Sequence, residues 1–259
     1  MKLAGIEGFT RFFRDYGNHF AVLGGAACSQ WLGEANLEFR QTKDIDMVLI
    51  VEAKNREFYE RLWEYLHLGG YAKWQRADGK KVAFRFVEPT SPSFPFMIEL
   101  LSRPDIIEVP KGQTITPIEP GDGLSSLSAV LLEDVYYNLI LEHRDVTRSG
   151  LPAVTPEVLM LLKAKAHLNL LDDKASGKTV REKDIKKHRN DFFHLAYLLD
   201  DAKSCPLPQE VARDMMRFVD MYSPANSAWE GITQSLIDMN FVPRSASELI
   251  ALVRSYYHI

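Results

Sequence analysis

The sequence lacks the features that mark secreted, zinc-binding and membrane-spanning proteins. It has only two cysteines, Cys28 and Cys205, in 259 residues. These are too few for a disulfide framework, and their spacing is not that of a zinc site. No apolar run reaches the roughly 18 residues that a membrane span needs. Residues 1–10 lack the apolar core of a secretory signal. We therefore expect a cytoplasmic protein with no membrane contact.

An overall excess of basic residues is also missing. The chain has 31 Lys and Arg against 35 Asp and Glu, a net charge of −4, which excludes a uniformly basic nucleic-acid coat. The charge is nevertheless uneven, because residues 174–189 hold seven Lys or Arg and two acids. This basic stretch suits a polyanionic partner, but a solvated loop and helix start would look the same in sequence.

Apolar residues make up 46% of the chain, as in ordinary folded domains, and their spacing changes between the two halves. In the first half, short apolar runs alternate with helical periodicity, and residues 45–51 have the near-continuous apolar character of a strand buried on both faces. We predict strands at 19–23, 45–51, 71–76, 82–87 and 96–101, and helices at 9–16, 26–32 and 56–68. The turn Asp78-Gly79 would join two of these strands in a hairpin.

The second half is mainly helical by the same criteria. We predict helices at 155–171, 182–201, 208–222, 227–239 and 246–257, with strands at 113–118, 135–142 and 151–154. The fold class is therefore α+β or α/β, with a mixed sheet and packed helices. We place the sheet domain at residues 1–125 and the mainly helical C-terminal part at 126–259.

Three acids stand out against their apolar surroundings. Asp44 and Asp46 flank Ile45 at the start of an apolar strand, so their side chains share one face. Two adjacent anions beside a buried strand are costly unless a cation joins them, and Mg²⁺ is the usual cation. The alternative is that Asp44 is a turn residue and that Asp46 faces solvent at the end of the strand. Glu99 interrupts the apolar strand 96–101 and needs a partner. It either pairs with a core arginine or completes a three-carboxylate site that holds Mg²⁺.

A possible phosphate site precedes the acids. Gly24-Gly25 lies between a predicted strand and a predicted helix, where backbone N–H groups and the helix N-terminus favour an anion. Taken alone, such a pair of glycines is more often a simple turn.

Together these motifs resemble the nucleotidyltransferase superfamily of the polymerase-β type. The form Gly-Gly-x-Ala followed by Arg-x-Thr-x-Asp-Ile-Asp resembles the AbiEii-like toxin family in particular, over residues 24–27 and 40–46. The spacing from Gly25 to Asp44 is longer than in the minimal superfamily pattern and is similar to that of the AbiEii-type members.

The resemblance implies an Mg²⁺-dependent enzyme, with Mn²⁺ as the alternative ion, that moves NMP from an NTP to an acceptor hydroxyl. It implies an RNA acceptor such as tRNA, a toxin role and an antitoxin protein as partner. It assigns metal binding and catalysis to Asp44, Asp46 and Glu99, and phosphate binding to Gly24, Gly25 and Ala26. Arg40 and Thr42 support the site.

In the second half, the resemblance matches a family lysine to Lys163 and a later motif to residues 187–195, where Lys187 and Asp191 would contact the nucleotide. Lys163 or Lys165 would bind the triphosphate, and the sequence does not choose between them. Either lysine would otherwise extend along the surface with its charge in water, and Lys187 would pair with Asp191 as an ordinary helix salt bridge. Two rival functions remain: a small-molecule nucleotidyltransferase of the antibiotic-modifying kind, and a catalytically silent relative that binds RNA or protein.

Overall fold

One mixed sheet and the helices around it make up the fold of this computed structural model. The structure describes residues 5–50, 56–77, 82–102, 116–117 and 133–259. The strands are β1 Phe20–Leu23, β2 Asp44–Leu49, β3 Lys73–Ala77, β4 Val82–Val87, β5 Met97–Ser102, β6 Thr116–Pro117, β7 Arg144–Val146 and β8 Pro152–Val154. The helices are α1 Ile6–Phe12, α2 Gly24–Glu34, α3 Arg56–Gly69, α4 Asp134–Glu142, α5 Pro156–Ala175, α6 Glu182–Leu195, α7 Gln209–Met221, α8 Ala228–Asp238 and α9 Ala246–Tyr257.

The described strands form one sheet in the order β6-β3-β4-β5-β2-β1-β8-β7. β2 lies at its centre, antiparallel to β1 and parallel to β5, while β4 runs antiparallel to β5. The predicted fold class is confirmed, because a mixed sheet is followed by a mainly helical C-terminal part. The predicted pairing of the third and fourth strands as a hairpin is also found, although its turn, residues 78–81, lies outside the described residues.

One predicted strand is wrong. Residues 135–142 belong to helix α4, whose buried side chains Tyr136, Tyr137 and Ile140 recur at helical spacing. The β-branched and aromatic residues of this segment favoured a strand locally, and packing of one helical face overrides that preference. The sheet instead receives β7 and β8 from the second half of the chain. The predicted boundary between residues 125 and 126 lies outside the described residues and stays a prediction.

The two faces of the sheet differ around β2. On one face, Trp74 and Phe86 are buried, and Trp63 of α3 stacks on Trp74 with ring centroids 5.3 Å apart. The neighbouring positions point to the opposite face and include polar side chains on β2, β4 and β5. The helix α3 therefore covers one face, and the polar groups gather on the other.

Helix α5 is the centre of the helical part. It begins with Pro156 at its first turn, as the Thr-Pro-Glu pattern predicts, and is buried almost all round between residues 158 and 168. Helices α6 and α7 pack against it. Because α5 also contacts α2, it brings side chains of the second half close to the start of β2. No helix within the described part of the chain is both long and apolar enough to cross a membrane.

Candidate active site

The three acids predicted from the sequence come together at the sheet. Asp46 is in register with Glu99 on the neighbouring parallel strand β5, and Glu99 is in register with Arg85 on β4. Residues in register on adjacent strands point to the same face, so Asp46, Glu99 and Arg85 form one polar row across three strands. Asp44 lies two residues before Asp46 and joins the same face.

Glu99 is held by an arginine. Its side chain has no exposed surface, and Oε2 accepts hydrogen bonds from Arg85 Nη2 at 3.1 Å and Nε at 3.3 Å. Arg85 is itself only 8% exposed. The core-arginine alternative is therefore present in the structure. No group of three or more His, Cys, Asp or Glu among the described residues is arranged to hold a metal ion.

Burial disfavours the charged forms of Asp44 and Asp46. Loss of solvent raises the pKa of both carboxyls, and the negative charge of Asp46 raises the pKa of Asp44 further. Among the described residues, Asp44 Oδ1 is a buried oxygen with no hydrogen-bond partner. Mg²⁺ is commonly held by one or two carboxylates together with substrate phosphates. The pair therefore fits such an ion without a third protein ligand.

The glycine pair lies directly against these acids. Gly24 opens α2 with φ of 67°, and a Cβ on it would overlap Asp46 Oδ2. A Cβ on Gly25 would lie 2.9 Å from Thr42 Oγ1 and 3.3 Å from Arg40 Nη2. The missing side chains thus let the α2 N-terminus approach the carboxylate and the Arg40-Thr42 loop. The side chain of Ala26 is buried in the core, so its backbone is what it offers a phosphate.

Asp191 binds two cations in the interior. Arg40 donates two hydrogen bonds of 2.8 Å to its two oxygens, and Lys163 Nζ donates a third, also of 2.8 Å. Asp191 is 0% exposed and Lys163 is 1% exposed. Burial alone would raise the pKa of Asp191, but Lys163 and Arg40 hold it well below its usual value. The cluster joins the loop before β2 to helices α5 and α6.

Lys187 lies on the same side but is not tied in this way. The alternative, a helix salt bridge with Asp191, does not form, and Lys187 has no ion-pair partner among the described residues. Loss of solvent and the nearby Arg40 and Lys163 cations lower the pKa of Lys187. Its charge opposes the raised pKa of Asp44 and Asp46. An available cation close to the two carboxylates is suited to a phosphate group.

Lys165 is paired with two other acids. It donates to Asp214 at 2.8 Å and lies 3.2 Å from Glu133. On α5 it follows Lys163 by two residues, which places it on a different side of the helix. Of the two lysines left open by the sequence, Lys163 is the one near Asp46.

The basic stretch is partly neutralised by its own neighbours. Lys178 pairs with Asp173, Arg181 pairs with Asp184, and Lys174 pairs with Glu182. Residues 174–189 therefore do not present all their positive charge to a partner. Lys187 at the carboxylates is the member of the stretch that reaches the site.

Arg85 was not among the residues predicted from the sequence. The signal was present in the pattern Phe84-Arg85-Phe86, where an arginine alternates with buried aromatics and so points to the opposite face of its strand. What was missing was the register that sets Arg85 beside Glu99.

Comparisons with known proteins give little further information. No family model matches the chain, and no curated protein matches it. A solved structure of an antigenic nucleotidyltransferase-like protein from Paracoccidioides brasiliensis is similar, with a TM-score of 0.41 and 14% sequence identity. The similarity covers 98% of this chain and 95% of that chain. At this level it does not identify a family or an activity.

Gly24→Ala is expected to lower the free energy of unfolding by about 2 kcal/mol, because the left-handed backbone disfavours a side chain and the new Cβ overlaps Asp46. Gly33→Ala is the matched control on the same helix, where a Cβ meets nothing within 4 Å. That change should be neutral or stabilising, by up to about 1 kcal/mol. Urea unfolding of both variants measures the difference, and equal stabilities would contradict the close approach at Gly24.

Asp191→Asn is expected to cost about 3–5 kcal/mol of stability, because it leaves two largely buried cations without their carboxylate. The control is Asp172→Asn, which breaks an exposed pair with Arg217 and should cost less than about 1 kcal/mol. Chemical denaturation compares the two. A loss at residue 191 no larger than that at residue 172 would show that the buried cluster does not anchor the site.

Asp44→Asn is expected to raise the melting temperature at pH 7 in metal-free buffer. The pKa of Asp44 is higher in the folded protein than its usual 3.8, so the charged form disfavours folding above the folded-state pKa. The advantage of the variant should therefore shrink as the pH falls and disappear below about 3.8, where both states are protonated. Thermal melts from pH 3 to 7 measure it, and a variant that is less stable at pH 7 would refute this account.

Proposed function

We propose that the chain is an Mg²⁺-dependent nucleotidyltransferase that moves NMP from an NTP to an acceptor hydroxyl. The observation that carries the proposal is the contact of Asp46 with Gly24 at the α2 N-terminus, with Asp44 on the same face and Lys187 nearby. It joins a carboxylate pair that has no ion-pair partner among the described residues to a backbone surface suited to phosphate. Each half alone is common, and their contact favours a metal–nucleotide site.

In this proposal Asp44 and Asp46 hold the ion, which when bound supplies Lewis-acid neutralisation of phosphate charge. The N–H groups at Gly24 and Gly25 bind phosphate oxygens, and Lys187 adds a positive charge. The acceptor oxygen forms a bond to the α-phosphorus as the bond to the bridging oxygen breaks, and pyrophosphate leaves. The acceptor proton passes to a carboxylate or to water. Lys163 and Arg40 stay hydrogen-bonded to Asp191, and their positive charges act on the site from there.

The choice of acceptor and the biological role rest on the sequence resemblance. It favours RNA, with tRNA as the natural candidate, and an AbiEii-like toxin that an antitoxin protein neutralises. The pairing within residues 174–189 weakens the argument for RNA from the basic stretch, since three of its cations are bound to acids. A small-molecule acceptor and a silent binding protein stay as alternatives that the same assay separates.

Label transfer tests the proposal. The full chain with Mg²⁺ should transfer label from α-³²P-NTP, and none from γ-³²P-NTP, to an acceptor among total tRNA and a panel of small hydroxyl compounds. Asp46→Asn should reduce the rate at least about 100-fold, because it removes charge that binds the metal. Asp145→Asn, an exposed acid on strand β7, is the control and should keep the rate.

The outcomes separate the alternatives. Transfer from the γ position would indicate a kinase instead. Full transfer by Asp46→Asn would remove the carboxylate pair from the mechanism. Absence of both transfer and NTP binding would favour the silent binding protein.

A further inference from the structure

We propose that Arg85 is a positioning residue that keeps Glu99 from binding the metal, so that the ion is held by Asp44 and Asp46 alone. The inference rests on the proposed function for the carboxylate pair and changes the role of the third acid. Glu99 is then the buried counter-ion of Arg85. The metal then has two protein ligands, and the guanidinium of Arg85 is a second, permanent cation in the site.

The sheet register sets this arrangement. Arg85, Glu99 and Asp46 are direct cross-strand neighbours on β4, β5 and β2. Glu99 therefore lies between a permanent cation on one side and the carboxylate pair on the other. Arg85 donates to Glu99 Oε2 through both Nη2 and Nε, so this oxygen is bound to the guanidinium.

Burial makes the contact hard to exchange. Glu99 is fully buried, and the side chain of Arg85 is 10% exposed. An arginine cannot shed its proton in a protein, so it stays charged at every working pH. Recruiting Oε2 of Glu99 to a metal would take this oxygen from a buried guanidinium, and leaving a buried charge uncompensated is strongly unfavourable. The guanidinium and the metal therefore compete for one anion.

The same guanidinium also acts on the pair itself. Its positive charge is close enough to act on both carboxylates of the pair. In agreement with this arrangement, the described residues include no group of three or more His, Cys, Asp or Glu that could hold a metal ion.

Metal affinity in the absence of nucleotide tests the inference. Titration of the full chain with Mn²⁺, followed by electron paramagnetic resonance of the free ion, gives the dissociation constant. Asp46→Asn should abolish binding, whereas Glu99→Gln should change it less than about threefold. Arg85→Met should bind Mn²⁺ about tenfold more tightly, because Glu99 becomes available as one more charged ligand. Arg85→Lys keeps the cation and should stay close to the unaltered chain.

Matched controls exclude indirect effects. Arg217→Met removes an arginine from an exposed pair with Asp172 and should leave Mn²⁺ affinity unchanged. The double variant Arg85→Met/Glu99→Gln should lose the gain, which ties it to Glu99. If Arg85→Met is insoluble, Arg85→Gln carries the same expectation, because it also removes the charge.

Two results would overturn the inference while the carboxylate pair survives. One is a loss of tenfold or more in Mn²⁺ affinity in Glu99→Gln, and the other is no gain in either neutral variant of Arg85. Absence of Mn²⁺ binding in the unaltered chain would overturn both the inference and the metal site of the proposed function.

Discussion

A single buried carboxylate organises the site. Asp191 receives Arg40 from the loop before β2 and Lys163 from α5, and all three groups are removed from bulk water to a large degree. A buried anion is tolerable only when cations and hydrogen bonds satisfy it, and here three hydrogen bonds do so. Because Arg40 lies against Gly25, the geometry at the α2 N-terminus depends on a residue of the helical part.

Much of the fold was predictable because its signals are local. The apolar run that became β2, the helical spacing of α3 and the Thr-Pro start of α5 each occupy consecutive residues. The exception, α4, carries residues such as Val135, Tyr136 and Ile140 that favour strands intrinsically, and only packing of one face makes the segment a helix. Predictions from local preference were therefore correct wherever tertiary packing favoured the same secondary structure.

The same distinction between local and long-range signals applies to the residues of the site. Asp44 and Asp46 are two residues apart on one strand, so the sequence alone brings them together. Arg40 and Asp191 are 151 residues apart, and no pattern within the chain pairs them. The partner of Glu99 depends on strand register, which periodicity leaves open. The sequence could not show whether Lys163 or Lys165 lies at the site. Helix α5 is buried almost all round, so the position of a lysine relative to its apolar stripe does not show which way the side chain points.

The place of β8 in the sheet affects how the chain is made. β1 is synthesised early and gains β2 on one edge soon afterwards, but its other edge pairs with β8, where Val22 meets Ala153. At translation rates of about 5–20 residues per second, the backbone groups on that edge of β1 stay unpaired for roughly ten seconds until β8 is synthesised. An open edge beside fully buried residues such as Phe20 and Val22 is a template for pairing with other chains. A chaperone would therefore protect the chain most while only its N-terminal half has been synthesised, because the β1 edge is then open to pairing with other chains.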